Sequence, residues 1–392
     1  MINKCKKRKS FNVSNPKLFS LTSLLVILVV MLCGIGVTFI YSASNYSAGV
    51  LYGDSMYFVT KQIIGFVIGV VLMLVISKFN YHNFTRMHIV IVIVSIVMLV
   101  LVFVPFIGMS ANGANRWVGF GPVSIQSSEV AKFGFVIFAS VYMSKNYKAM
   151  FTFKGMLPVL AVGGVMCLLV LMEPNLSVTI CLGLVMLAML YIGGVRKKYF
   201  VILFCLALLL VPVLIIIEPY RLYRLFAFIN PWANPQGEGF QLIQSLYSLG
   251  AGGLFGVGLF NSMQKYLFLP FAESDFILAI IGEEVGFLGL ILLFAIYLLV
   301  VSIGYKIALN AKDRLGTLLA FGITSLIAFQ TLINVAVVTG SIPPTGIPLP
   351  FISAGGSGLI VFMCAIGILI NIAKNSKSGS FRDFRLKNLR SD

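Results

Sequence analysis

Four carboxylates lie in or beside one long apolar segment between Phe268 and Gly286. The sequence reads Glu273-Ser-Asp275, then seven apolar or small residues, then Glu283-Glu284. An ionisable side chain at the centre of a membrane helix costs about 2.5 to 3.5 kcal/mol on insertion scales, so such a residue usually has a function. A carboxylate beside a low-dielectric cavity can act as a general base, and nearby cations can bind an anion. The segment therefore predicts an acid–base or anion-binding site at a membrane.

Each of these acids also has a structural interpretation. Ser274 or Asp275 could cap the N-terminus of the next helix, which is a common use of both residue types. Glu283-Glu284 would lie about 12 to 14 Å deeper than Asp275 at 1.5 Å per residue, where a structural pairing with Arg116 or Lys132 is the favoured interpretation. Burial would raise the pKa of Asp275, whereas a nearby Arg or Lys would lower it, and the sequence leaves the balance open.

The composition is that of a membrane protein. The chain of 392 residues is 59% hydrophobic and 10% charged, with a mean hydropathy of +1.01, whereas soluble proteins carry about 25% charged residues. We predict an all-α integral membrane protein with about ten transmembrane helices, because ten apolar runs are long enough to cross about 30 Å of hydrocarbon. The runs lie near residues 21–43, 60–79, 88–108, 128–145, 156–173, 176–194, 199–219, 276–303, 315–338 and 351–373. The first run exceeds the apolar core of a signal peptide, so we expect it to remain as an anchor.

The formal charge of +17 follows the loops rather than suggesting nucleic acid as a partner. Most of the 29 basic residues lie in the two tails, 1–20 and 374–392, and in every second loop between the predicted spans. The positive-inside rule makes this side cytoplasmic. We therefore expect both termini in the cytoplasm and a multi-pass domain over residues 21–373.

Two outer loops and one proline-rich segment stand out. The loops cover residues 109–127 and, between spans 7 and 8, residues 219–275. The segment Ile342–Gly358 holds four prolines, which cannot continue a regular helix, so we expect a broken, extended or re-entrant segment before span 10. Such a backbone survives at membrane depth only when protein buries it or a cavity adjoins it. The six cysteines and two histidines show no metal-ligand spacing, so we predict no metal site from the sequence.

Short motifs extend in order over nearly all predicted spans: Tyr41-Ser-Ala-Ser44, Asn112-Gly-Ala-Asn-Arg-Trp117, Gln126-Ser-Ser-Glu129 with Lys132, Glu173-Pro174, Gln241, Gln244-Ser245, Gly252-Gly253, Lys265, Leu269-Pro270, Ser274-Asp-Phe276, Glu283-Glu284-Val-Gly286, Ile333-Asn-Val-Ala-Val-Val-Thr-Gly340, Pro344-Thr-Gly-Ile-Pro-Leu-Pro-Phe-Ile-Ser353 and Gly355-Gly-Ser357. These motifs resemble those of the SEDS proteins (shape, elongation, division and sporulation), in the branch of FtsW and SpoVE.

The resemblance implies an inverting peptidoglycan glycosyltransferase. It would polymerise lipid II into β-1,4 glycan strands at the outer face of the inner cell membrane, during division or sporulation. A class B penicillin-binding protein and other division-complex membrane proteins would be its partners, and a divalent cation, Mg²⁺ or Mn²⁺, could assist without an identifiable ligand set.

The resemblance also implies roles for individual residues. Asp275 would be the general base. Substrate or diphosphate binding falls on Arg116, Lys132, Lys265, Gln241, Gln244 and Glu129, and supporting roles fall on Glu283, Glu284, Pro344, Thr345, Gly346, Ser353, Gly355, Gly356 and Ser357.

The sequence departs from the family pattern at three places. Asn175 replaces a frequent Asp, Ala354 replaces a usual Tyr, and Phe271-Ala-Glu273 is an atypical approach to Asp275.

Two other functions stay open. A lipid II flippase would also have many spans and buried acids, although its halves should repeat, and the prolines here cluster in the second half. A non-catalytic division scaffold would suit the capping interpretation of Asp275.

Overall fold

The computed structural model describes residues 16–111, 114–120 and 123–376. These residues form a helical bundle with one small sheet. Both charged tails lie largely outside them, so the predicted placement of the tails stays a prediction. The helices are α1 (Pro16–Tyr52), α2 (Tyr57–Lys78), α3 (Phe84–Leu101), α4 (Ser127–Lys145), α5 (Phe153–Met172), α6 (Leu176–Ile192), α7 (Lys197–Ile217), α8 (Pro219–Ile229), α9 (Phe240–Gly252), α10 (Ile277–Leu309), α11 (Arg314–Val338) and α12 (Gly356–Lys374).

Every predicted span coincides with a helix, although the count of ten spans is not confirmed. Eight described helices are long and apolar enough to cross a membrane. The other two predicted spans correspond to α6, which has 17 residues, and to α4, which carries Glu129 and Lys132 among its apolar residues. The chain is therefore a multi-pass membrane protein in which α4 and α6 pack among the other helices.

A three-stranded antiparallel sheet follows α3, where the sequence predicted only a loop. Strands β1 (Gly108–Ala111), β2 (Ala114–Phe120) and β3 (Val123–Gln126) pair in that order. The third predicted span consequently ends at Leu101 rather than near 108. The sheet matters because β2 carries Arg116 and β3 leads directly into α4.

The long loop before α10 is partly helical. It contains α8 and α9, and its glycine-rich segment 253–258 packs against a kink in α10 at Gly286, where φ is +68° and ψ is −172°. Val257 N–H donates to Glu283 O at 2.9 Å, and Phe287 N–H donates to Gly253 O at 2.9 Å. The glycine-rich segment therefore satisfies backbone groups that the kink removes from the helical pattern.

The proline-rich segment before α12 is irregular, as predicted, and α12 begins only at Gly356. Its carbonyls are bound by side chains of neighbouring helices. Gln330 Nε2 donates to Pro348 O at 3.0 Å, Asn334 Nδ2 donates to Ile347 O at 2.8 Å, and Tyr297 Oη donates to Pro350 O at 2.5 Å. The bundle thus pairs three carbonyls of this irregular backbone with side-chain donors.

The ends of the bundle differ in chemistry. Lys145 Nζ at the end of α4 donates to Thr85 O at 3.1 Å, and Arg314 donates to Gly193 O at 2.7 Å. These contacts gather the basic loops at one end. The opposite end of α4, about 27 Å away at 1.5 Å per residue, meets the sheet and the proline-rich segment.

Candidate functional site

A half-open cavity of about 190 Å³ lies at the end away from the basic loops. Its wall is built from β2, α4, α8, α9, α11, the residues before α10 and the proline-rich segment. Its polar lining residues are Arg116, Gln126, Glu129, Tyr220, Arg224, Gln241, Ser274, Asp275, Gln330, Thr345 and Ser353. Residues more than two hundred positions apart therefore meet in one polar cavity. The predicted cavity is confirmed, and its place on the outer side stays a prediction.

Asp275 lines this cavity and does not cap a helix. Helix α10 begins at Ile277, its N-cap is Phe276, and no side chain bonds to that end, so the capping interpretation was wrong. Burial raises the pKa of Asp275 to about 6, while the charge of Arg116 opposes the rise. A Cβ at Gly346 would lie 2.7 Å from Asp275 Oδ2, so the glycine leaves room in front of the carboxylate. A carboxylate with this pKa and access can accept a proton near neutral pH.

Arg116 reaches the same cavity from β2. Its Nη2 donates to Pro174 O at 2.7 Å and its Nε donates to Glu173 O at 3.3 Å, at the end of α5. Both acceptors are backbone carbonyls, so the positive charge has no carboxylate of its own. Glu173 itself is fully buried, and burial raises its pKa to about 8, while Ser127 and Arg116 lower it. Arg116 can therefore offer its charge to an anion in the cavity.

Glu129 and Lys132 form a buried pair on α4. Lys132 Nζ lies 2.7 Å from Glu129 Oε1 and also donates to the amide oxygen of Gln330. Glu129 lines the cavity, but Lys132 is fully buried behind it. The pair lies at the bottom of the cavity, where Glu129 contacts the cavity and Lys132 does not.

Glu283 and Glu284 form a separate network near the kink of α10. Ser262 Oγ donates to Glu283 Oε2, and Ser42 Oγ donates to Glu284 Oε1, both at 2.5 Å. Lys265 Nζ lies 3.9 Å from Glu284 Oε1 and donates to Phe260 O. The expected pairing of these glutamates with Arg116 or Lys132 was wrong, because the long loop folds back and supplies its own partners.

The remaining predicted residues divide between the lining and its support. Gln241, Thr345, Gly346, Ser353 and Gly355 line the cavity, whereas Gln244, Lys265, Gly356 and Ser357 do not.

Three of these residues support the wall through hydrogen bonds. Pro344 O accepts a bond from Arg224, Ser357 Oγ accepts one from Gln126 N–H, and Ser353 Oγ donates to Ser274 O at 2.6 Å. Asn175, where an Asp is frequent, caps α6 by accepting from Val178 N–H at 3.3 Å.

Sequence reasoning missed Arg224 and Tyr220, which line the cavity from α8. The signal was present, because the long loop contains two arginines, Arg221 and Arg224, in its first six residues. Only the fold places one of them, Arg224, at the cavity. In the described part of the chain, no three His, Cys, Asp or Glu side chains are grouped to hold a metal ion.

Residues 23–378 match one family along almost the whole described fold. The chain belongs to the FtsW/RodA/SpoVE family of cell cycle proteins. It is 39% identical over 356 residues to stage V sporulation protein E of Bacillus subtilis, covering 90% of this chain and 97% of that protein. It is 37% identical over 354 residues to a Geobacter metallireducens protein named "Probable peptidoglycan glycosyltransferase FtsW", covering 90% and 94% of the two chains.

Two solved structures share the fold of this chain. One is described as "Structural coordination of polymerization and crosslinking by a peptidoglycan synthase complex", with a TM-score of 0.73, 24% identity and coverage of 93% of this chain and 98% of that one. Another is an Asp-to-Ala mutant of the Thermus thermophilus rod shape determining protein RodA, with a TM-score of 0.66, 20% identity and coverage of 94% and 100%.

Proposed function

We propose that this protein is an inverting peptidoglycan glycosyltransferase that polymerises lipid II, with Asp275 as general base. The observation that carries the proposal is that Asp275 caps no helix and lies in a cavity that Arg116 also lines. The FtsW relative at 37% identity is named for this activity. A base and a cation in one hollow suit a reaction that deprotonates an alcohol while an anion departs.

The proposed step uses two lipid-linked sugars. The 4-hydroxyl of the acceptor sugar gives its proton to the Asp275 carboxylate as its oxygen attacks the anomeric carbon of the donor. The bond from that carbon to the diphosphate oxygen breaks, and its electron pair leaves with the diphosphate. Attack from the opposite face converts an α-linked donor into a β-1,4 bond. Arg116 stabilises the charge on the leaving diphosphate through charge-assisted hydrogen bonds.

The cavity is large enough for the reacting sugar and diphosphate groups but not for the whole substrate. At about 190 Å³ it is smaller than the roughly 300 to 1,000 Å³ of a pocket that encloses a whole drug-sized ligand. The peptide and lipid parts of the substrate would therefore remain outside the cavity.

The location we propose is the outer face of the cytoplasmic membrane, with both termini in the cytoplasm. The support is the separation between the basic loops, gathered by contacts such as Lys145 with Thr85, and the cavity at the other end. We also propose a class B penicillin-binding protein as partner, during division or sporulation. One solved structure with this fold belongs to a peptidoglycan synthase complex that coordinates polymerisation and crosslinking.

The decisive experiment is a polymerisation assay. Purified protein with its partner should convert labelled lipid II into glycan polymer, and the variants Asp275→Ala and Asp275→Asn should form none. Their thermal unfolding midpoints and partner binding should match those of the unchanged protein. Undiminished polymer from Asp275→Ala would refute the base assignment. Movement of lipid II across vesicles without polymer would instead favour a flippase.

A further inference from the structure

Arg116 and Arg224 are two guanidinium groups that face one cavity without carboxylate partners. Arg224 Nη1 donates to Pro344 O at 3.1 Å, and Arg116 likewise bonds only to carbonyls. Among the residues that the structure describes, neither guanidinium forms an ion pair within 4.0 Å. Each side chain therefore has unused donors, and the carboxylate that interacts with both charges, Asp275, forms no ion pair with either.

The other cations near this region are already neutralised. Lys132 pairs with Glu129, and Lys265 lies 3.9 Å from Glu284. By contrast, burial lowers the pKa of Arg116, the Asp275 carboxylate opposes this change, and the positive charge of Arg224 adds to it. A cavity that holds two guanidinium groups without an ion pair is complementary to a ligand with two adjacent anionic groups.

We propose that Arg116 and Arg224 together clamp a diphosphate, one guanidinium on each phosphate. This inference rests on the proposed function and deepens it by assigning the second binding group to α8, in place of Lys132 and Lys265. Arginine suits this role because its planar donors match phosphate oxygens in pairs. Tyr220, whose ring lies 4.6 Å from the Arg224 guanidinium carbon, positions that side chain from one turn earlier on α8.

The surroundings of α8 indicate a lipid-linked rather than a free diphosphate. The preceding helix α7 is strongly apolar and has no buried residue, and α8 buries only Ala227. We place Arg224 at the membrane boundary, because α8 directly follows α7, an apolar helix long enough to cross a membrane and without a buried residue. A diphosphate bound there can leave its hydrocarbon tail in the bilayer, where each buried CH₂ contributes about 0.8 kcal/mol.

The test is a binding measurement that needs no turnover. Protein in nanodiscs is titrated with undecaprenyl diphosphate and, separately, with undecaprenyl monophosphate. We expect Arg224→Ala to weaken diphosphate binding about tenfold, equivalent to about 1.4 kcal/mol, while monophosphate binding at Arg116 stays nearly unchanged. Arg224→Lys should restore only part of the loss, because an ammonium lacks the planar fork.

Arg221 provides the matched control on the same helix. Its guanidinium bonds to Leu214 O and Leu171 O and does not line the cavity. Arg221→Ala should therefore keep the preference for diphosphate over monophosphate. Two results would overturn the clamp. One is an equal loss of affinity for both ligands in Arg224→Ala and in Arg221→Ala, and the other is unchanged diphosphate binding in Arg224→Ala.

Two further binding measurements separate a lipid-linked from a free ligand and the clamp from the base assignment. Inorganic pyrophosphate should compete poorly with undecaprenyl diphosphate, and equal competition would overturn the assignment to a lipid-linked ligand. Asp275→Asn should bind undecaprenyl diphosphate normally. Failure of the base assignment in the polymerisation assay would thus leave this binding result intact, and the reverse also holds.

Discussion

Burial affects the charged side chains of this protein in two ways, at the scale of single residues. Lys132 and Glu129 neutralise each other at 2.7 Å inside α4. Asp275 and Arg116 instead keep their charges beside the cavity, and each has the pKa shift that burial causes in its residue type, upward for the acid and downward for the base. Perturbed pKa values of residues in a cavity are frequent among catalytic groups.

The first prediction concerns the pH dependence of polymerisation. Asp275 acts as a base only when ionised, and its pKa of about 6 lies above the ordinary value because of burial. We expect the rate to be near its maximum above pH 7, to halve at about pH 6, and to fall about tenfold per pH unit below that.

The measurement is the initial polymerisation rate from pH 4.5 to 8.5. Glu238→Gln, a change at an exposed loop residue, should give the same profile as the unchanged protein. A flat rate down to pH 4.5 would show that Asp275 does not limit the reaction as a base.

At the scale of elements, irregular backbone is held by side chains of regular helices. Asn334 on α11 is the clearest case, because its Nδ2 donates to both Asp275 O and Ile347 O at 2.8 Å. One amide therefore joins the segment that carries the base to the proline-rich wall opposite it.

The second prediction is that Asn334→Ala disturbs both stability and activity. The change leaves two buried carbonyls without this donor, at a cost of about 1 to 3 kcal/mol, and frees Asp275 from its position. Thermal unfolding in detergent should occur at a lower temperature, and polymerisation should fall by at least tenfold.

Thr331→Val is the control for this prediction on the same helix. Thr331 Oγ1 bonds only to Ile327 O within α11, so its loss should change little. An Asn334→Ala protein with normal stability and rate would contradict the joining role.

The third prediction concerns the kink of α10. A side chain at Gly286 would collide with the backbone of Leu254 and Gly256 and would need a dihedral region open essentially to glycine. Gly286→Ala should therefore lower the free energy of unfolding by at least about 1 to 3 kcal/mol, measured by thermal unfolding. Gly164→Ala on α5, where a Cβ meets nothing within 4 Å, should be neutral or stabilising. Equal stability of the two variants would argue against a required kink.

At the scale of the whole molecule, the two ends of the bundle have opposite roles. Basic loops lie at one end, and the cavity, the sheet and the folded long loop lie at the other. The asymmetry fits a protein whose orientation is fixed by positive charge and whose reaction takes place across the membrane from that charge.

The fourth prediction tests this orientation by cysteine labelling. In a background with the six native cysteines replaced, Glu238→Cys should react with a membrane-impermeant maleimide in intact cells, and Lys148→Cys should not. Both residues are exposed, so access alone decides the result. Lys148→Cys should react in inverted vesicles, and the opposite pattern would invert the proposed topology.

The amino-acid sequence by itself determined the membrane class, the ten apolar runs that coincide with helices and the broken segment at Pro344–Pro350, and it predicted a role for Asp275. These properties depend on local composition: apolar runs, prolines that cannot continue a helix, and an acid at the edge of an apolar run. The family resemblance added an expected chemistry, and the match over residues 23–378 confirmed the family.

Only the tertiary structure decided which charges meet. Lys132 and Lys265 look like Arg116 in the sequence, yet the fold pairs both lysines with glutamates and leaves Arg116 and Arg224 facing the cavity. The physical reason is that a buried charge is stabilised by partners from distant parts of the chain. Side-chain spacing along one helix does not reveal those partners.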